Sequence, residues 1–130
     1  MKLILKITLI VFLIIVAALG GLMMYGRHMQ QQTADSAIAL LDYKTIDAQH
    51  MPRELMENFV RSCAGSALQH GAPKERAVTG CSCVANHIAA SVPEKEFREY
   101  DTALVMKTSP NAQTASRMVA IVSECRTNTK

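Results

Sequence analysis

Two cysteines one residue apart, Cys81 and Cys83, sit in the middle of a segment patterned as a helix. Cys63 lies in the helix-like segment before it, and Cys125 in a later one. Four cysteines can pair in three ways. Pairing Cys81 with Cys83 is disfavoured, because residues two apart on a helix point about 200° away from each other. Either remaining pairing ties the central helix to a neighbour on each side, so oxidation staples the fold from its middle outward. Folding 52–69 and 73–91 into a hairpin about residues 71–73 puts Cys63 level with residues 80–82. It also brings Gly65 close to Gly80, where the two glycines would allow the helices a close approach. In an up-down bundle the last helix runs parallel to 73–91, with Cys125 further along than either central cysteine. This register leans to Cys63–Cys81 with Cys83–Cys125, and Cys63–Cys83 with Cys81–Cys125 is nearly as good. Each bridge should contribute about 2–4 kcal/mol.

Disulfides persist in oxidising compartments, and the N-terminus carries an export signal. Residues 7–25 have no charge, and Thr8 is their one clearly polar side chain. As a helix this run is roughly 28 Å long, close to the thickness of a bilayer's hydrocarbon core. A cleaved signal peptide has loose candidate sites at Val16-Ala17-Ala18 and Ala18-Leu19-Gly20. The apolar run continues past them through Leu22, Met23, Met24 and Tyr25, which favours an uncleaved anchor. Lys2 and Lys6 favour a cytoplasmic N-terminus. The expectation is a single-pass protein of a bacterial inner membrane, held through residues 7–25, with residues 28–130 in the periplasm. Removing Lys2 and Lys6 from the 14 Lys and Arg leaves 12, against 11 Asp and Glu. So even a balance, with no basic patch visible, argues against nucleic acid as a partner.

Three regions follow: a membrane anchor or signal peptide at 1–26, a linker at 27–50, and a four-helix disulfide domain at 51–130. The Gln30-Gln31-Gln32 run reads as a spacer over 28–34. Ile38, Leu40 and Leu41 suit one short helix starting at Asp35 or Ser36. Pro52, Pro73, Pro93 and Pro110 each precede a helix-like run, as expected of proline in a first turn. Ser91 and Glu94 fit a capping box, and Ser109 an N-cap. The predicted helix over 52–69 has Leu55, Phe59, Cys63 and Ala67 at four-residue steps, beside Met56 and Val60, and Gly71 suits its end. The helix over 73–91 aligns Val78, Cys81, Val84, Ala85, Ile88 and Val92. The helix over 93–107 turns Phe97, Tyr100 and Leu104 inward. The helix over 110–126 does so with Ala115, Met118, Ile121, Val122 and Cys125. No segment has a period of two, so the fold class is all-α: one N-terminal transmembrane helix and a small four-helix domain. About 80 residues of Ala-, Val- and Met-rich core are marginal without staples.

The cysteines admit sharper chemistry. A redox-active dithiol usually places a low-pKa thiolate at a helix N-terminus in C-x-x-C spacing, whereas Cys81 and Cys83 are mid-helix in C-x-C. A zinc site with His70 or His87 would want C-x(2–4)-C spacing and free thiolates. His87 with Glu94 or Glu96 suggests a general-base pair, but no nucleophile, oxyanion nest or phosphate loop accompanies it. The expectation is therefore no catalytic residue, no metal and no cofactor.

The segment Asn58-Phe59-Val60-Arg61-Ser62-Cys63, the pair Cys81-x-Cys83-Val84, Pro93-x-x-x-Phe97 and Ile121-Val122-x-x-Cys125 together carry a resemblance. Over roughly 55–126 the chain resembles the small exported four-cysteine helical proteins of Gram-negative bacteria, a group without an assigned activity. The resemblance implies a periplasmic location and disulfides, and supplies no catalytic residues. The long anchor departs from the cleaved signal peptide expected of that group. The favoured reading is a membrane-anchored periplasmic binding or accessory module whose partner is another envelope protein. Alternatives are a thiol-disulfide redox factor using Cys81 and Cys83, and an inhibitor or immunity protein against a secreted toxin.

Overall fold

A computed structural model describes residues 2–128, with side chains placed from residue 10 to residue 127. Met1, Thr129 and Lys130, the outermost residues of the expected first and last regions, lie outside the described residues. The described chain is entirely helical: α1 Lys2–Ile38, α2 Tyr43–Ala48, α3 Arg53–Gln69, α4 Lys74–Ser91, α5 Glu94–Val105 and α6 Ala112–Asn128. The helix containing the apolar run is long and apolar enough to span a membrane.

The expected spacer over 28–34 is not a spacer. No glycine or proline interrupts residues 27–51, and α1 runs without a break from the apolar stretch into the domain. Its last turns bury Thr33, Ala34 and Ala37. Ala34 packs with Ala64 and Cys81, and Asp35 meets Arg61 of α3 at 3.1 Å. Asp35 and Ser36 are therefore helix interior rather than caps; the Ser36 hydroxyl donates back to the Gln32 carbonyl at 2.8 Å. The short helix expected in this region is α2, capped by Asp42, whose Oδ1 accepts from the Thr45 amide at 3.3 Å. Asn86 of α4 clamps the α1–α2 corner: its Oδ1 accepts from the Asp42 amide at 2.8 Å and its Nδ2 donates to the Leu40 carbonyl at 3.1 Å.

Three helices end in the same way. At each, the amide three residues past the helix donates to a carbonyl five residues back, and the residue before it adopts positive φ. Those residues are His50 (φ 57°), Gly71 (φ 80°) and Lys107 (φ 54°). The helix starts differ from expectation. Pro52, Pro73 and Pro93 occupy the N-cap positions themselves, with no side-chain cap. Proline forces the residue before it out of helical geometry, so Val92 is extended and separates Ser91 from α5. Ser91 is the last residue of α4, and its hydroxyl donates to the His87 carbonyl at 2.7 Å. Ser109 is likewise not a cap. Asn111 is, with Oδ1 accepting from the Gln113 and Thr114 amides at 2.9 and 3.3 Å.

The main core joins Ala37, Leu41, Ile46 and Met51 of the N-terminal arm to Met56 and Val60 of α3, Ile88 and Val92 of α4, Phe97 of α5 and Ile121 of α6. Phe59 and Phe97 meet edge to face, ring centres 5.6 Å apart. The buried stripe of α3 is Met56, Val60 and Ala64, one position round from the Leu55-Phe59-Cys63-Ala67 line, because α1 as well as α4 covers this helix.

α6 runs antiparallel to α4, not parallel. Arg117 near its start meets Glu96 in the first turn of α5 at 3.0 Å, while Cys125 near its end is bonded to Cys83 in the middle of α4. The reason lies in α5. It is twelve residues long, buries Phe97 fully, and crosses the end of the bundle instead of returning along it. α6 therefore starts at the far end and descends. Leu104 and Val122, expected inward, are 53% and 49% exposed.

Candidate functional site

The four cysteines form two bridges that share α4. Cys63 is bonded to Cys81 with Cα atoms 5.8 Å apart, and Cys83 to Cys125 with the same Cα separation. No cysteine is left free. The helical twist sends Cys81 toward α3 and α1, and Cys83 toward α6, as successive odd positions on a helix must. Ser82 between them is buried, and its hydroxyl is shared between the Val78 and Thr79 carbonyls at 2.9 and 3.2 Å. It is thereby spent on the α4 backbone and is not offered as a nucleophile.

His87 does not pair with Glu94 or Glu96. Glu94 is held by Arg98 at 2.7 Å and Glu96 by Arg117. The carboxylate facing His87 is Glu124 of α6, 3.7 Å from Nδ1. The antiparallel course of α6 brings that carboxylate there, and no sequence spacing signals it. His87 also lies with the sulfurs of Cys83 and Cys125 in a group whose candidate ligand atoms all fall within 4.8 Å of one another. Both sulfurs are used in the bridge, so two thiolates would exist there only after reduction. His70 sits at the exposed C-cap of α3 and belongs to no such group among the described residues.

Electrostatic perturbation is concentrated at the opposite corner. The Thr45 hydroxyl and then the Thr45 amide hold the Asp42 carboxyl below its ordinary range. Arg53, forked onto Asp47, holds Asp47 low and is itself raised. Burial, then the bond to Glu57, pushes the Tyr43 phenol up; its hydroxyl donates to Glu57 at 2.9 Å and Arg53 lies over its ring at 5.1 Å. These groups fasten α2 to α3 and enclose no cleft.

The concave feature is a groove of about 670 Å³ between α3, α4 and α6. Both disulfides reach its surface. Phe59, Gly80, Val84 and Val122 make its walls, with Arg76 of α4 and Arg126 of α6 also lining it. Gly65 and Gly80 do not seat a close helix contact: a Cβ at either would meet nothing within 4 Å. Both glycines face open space instead, and Gly80 lies on the groove wall. A second apolar exposure, Val105 and Met106, lies at the end of α5. No family model, curated protein or solved structure matches this chain.

Proposed function

We propose that the protein is a membrane-anchored, disulfide-stapled binding or accessory module of the bacterial envelope. In this reading α1 crosses the inner membrane with its N-terminus in the cytoplasm, and the domain stands in the periplasm. The observation that carries it is the continuity of α1. One helix supplies both an apolar stretch with exposed Ile10 to Leu22 and, one to two turns beyond Met29, buried core residues Thr33, Ala34 and Ala37. An anchor joined in this way holds the domain at a fixed height and orientation, which suits docking another envelope protein. The two bridges stabilise a core too small to be secure alone. Crosslinking in native envelopes followed by mass spectrometry tests the reading. Recovery of one dominant envelope partner linked through residues 28–130 supports it. Recovery of the chain in the cytosolic fraction with reduced cysteines refutes it.

A thiol-disulfide exchange factor is the second reading, favoured by the placement of His87 beside the Cys83–Cys125 bridge. An imidazole there could take the proton of a released thiol. It predicts that this bridge, and not Cys63–Cys81, is opened by mild dithiol reductant in the folded protein. Equal resistance of both bridges would eliminate exchange chemistry.

A further inference from the structure

We infer that the groove between α3, α4 and α6 accepts one acyl chain of an anionic phospholipid drawn from the membrane that holds α1. The inference rests on the anchor reading above and adds a ligand to it.

The first argument is position. α1 and α3 are antiparallel, with Ala34 against Ala64 and Asp35 against Arg61. That register sets residue 68 level with residue 30, and the α3–α4 turn at Gly71 level with Arg27. The apolar run ends at Tyr25. At 1.5 Å per residue, residues 27–30 lie roughly 3–8 Å beyond it, inside a headgroup layer about 5–8 Å thick. The lower end of the groove, beside Ala67 and Arg76, therefore opens at the membrane surface. From Ala67 up to Phe59 the groove extends about 12 Å along α3.

The second argument is charge. At the membrane end (α1 from residue 27 to 30, α3 after 65, α4 before 78) the described cations are Arg27, Lys74 and Arg76, against one carboxylate, Glu75. The rest of the described domain carries eight Lys and Arg and ten Asp and Glu. The near-neutral total thus conceals a basic end aimed at the bilayer, as expected for an anionic leaflet. Arg76 lines the groove at that end, placing positive charge where the phosphate of an inserted lipid would sit. The interior beyond it is apolar, and its volume lies within the roughly 300–1,000 Å³ of small-ligand sites.

Gly80 supplies the test. It lies mid-α4 on the groove wall, and a Cβ there meets nothing. Gly80→Leu therefore fills the groove from a helix position where leucine is the better helix former. Gly65→Leu, equally open but outside the lining, is the control. Full-length protein is placed in phosphatidylcholine vesicles containing phosphatidylglycerol with a diazirine on one acyl chain, irradiated and mapped by mass spectrometry. Label is expected on peptides containing Phe59, Val84 or Val122, falling to background in Gly80→Leu and unchanged in Gly65→Leu. Arg76→Ser should lower it by about fivefold, the weight of one cation near an anionic surface. Label that survives Gly80→Leu, or is as strong with a phosphatidylcholine probe, or is confined to α1, overturns the proposal. Groove labelling by a diazirine fatty acid and not by the phospholipid overturns the phospholipid as occupant. Release of the chain by alkaline carbonate overturns the anchor and this proposal together, whereas an embedded chain with an unlabelled groove overturns this proposal alone.

Discussion

Removing the Cys83–Cys125 bridge should free α6 as a unit while leaving the α1–α3–α4 body folded. The bridges close separate loops, 18 residues apart for Cys63–Cys81 and 42 for Cys83–Cys125. In the chain-entropy account the first is worth about 3.2 kcal/mol and the second about 3.9 kcal/mol. The difference is small; the packing around each bridge is not. α3 is buried along Met56, Val60 and Ala64 between α1 and α4. α6 buries Thr114, Met118, Ile121 and Cys125, and leaves Val119 and Val122 exposed. Met118 and Ile121 contribute about 3–6 kcal/mol together, comparable with the bridge itself. Losing some 4 kcal/mol from that side lets α6 detach below the global unfolding free energy, as a separate cooperative unit. The chain has no tryptophan, so helix content by circular dichroism is the bulk signal and hydrogen exchange with mass spectrometry the local one. Cys83→Ala with Cys125→Ala should show faster exchange across residues 112–128, and little change across 53–69. Cys63→Ala with Cys81→Ala should instead lower protection in α3, α4 and α6 together. Uniform loss of protection in the first variant would refute the claim that α6 hangs on its bridge.

Three further outcomes follow from the corners of the fold. Asn86→Ala removes both hydrogen bonds that hold the α1–α2 turn; a cost of about 1–2 kcal/mol is expected in chemical denaturation. Lys107 holds a left-handed conformation with a Cβ, so Lys107→Gly should raise stability by about 0.5–1 kcal/mol, the strain relieved exceeding the flexibility added to the unfolded chain. Its Tm should rise by several degrees on that account. The carboxyls of Asp42 and Asp47 are held below the ordinary 3.8 by Thr45 and Arg53 respectively. A depressed folded pKa gives stability that is complete above the ordinary value and lost as pH falls through the lower, folded one. The α2 corner should therefore loosen below about pH 3.8, and Asp47→Asn should flatten that part of a stability-against-pH curve measured between pH 5 and 2.

What the sequence discloses is governed by how local the determining interaction is. The helical segments from Arg53 to Asn128 are written in short-range signals: prolines ahead of each, Gly71 behind α3, and apolar stripes at helical spacing. The divergence of Cys81 and Cys83 follows from helix twist alone. The errors lie where a partner across the fold decides. Residues 28–34 look like a polar spacer because the side chains they bury are only Thr33 and Ala34, too small to signal a core, and Ala34 becomes core once Ala64 and Cys81 lie against it. The unbroken run without glycine or proline from residue 27 to residue 51 was the available signal of a continuing helix. Ser91 fails as a cap because Pro93 makes Val92 extended. The pairing of His87 with Glu124, like the exposure of Val122, depends on α6 descending, and that depends on α5 crossing the bundle's end instead of returning along it. Nothing in the residues of α6 encodes its direction.

The same dependence explains why the groove exists. A parallel α6 would have placed its early residues beside the start of α4 and covered Gly80. Descending from the far end, α6 reaches the level of Cys83 only at Cys125, near its last described turn. Among the described residues α6 continues only to Asn128 below that level. The Cys83–Cys125 bridge fixes that stopping point: it pins α6 high enough to leave the groove open, and Cys63–Cys81 fixes the spacing of the two helices that form the opposite wall. On this argument the staples do more than compensate for a thin core. They fix how α3 and α6 stand against α4, and with that the shape of the apolar groove between them.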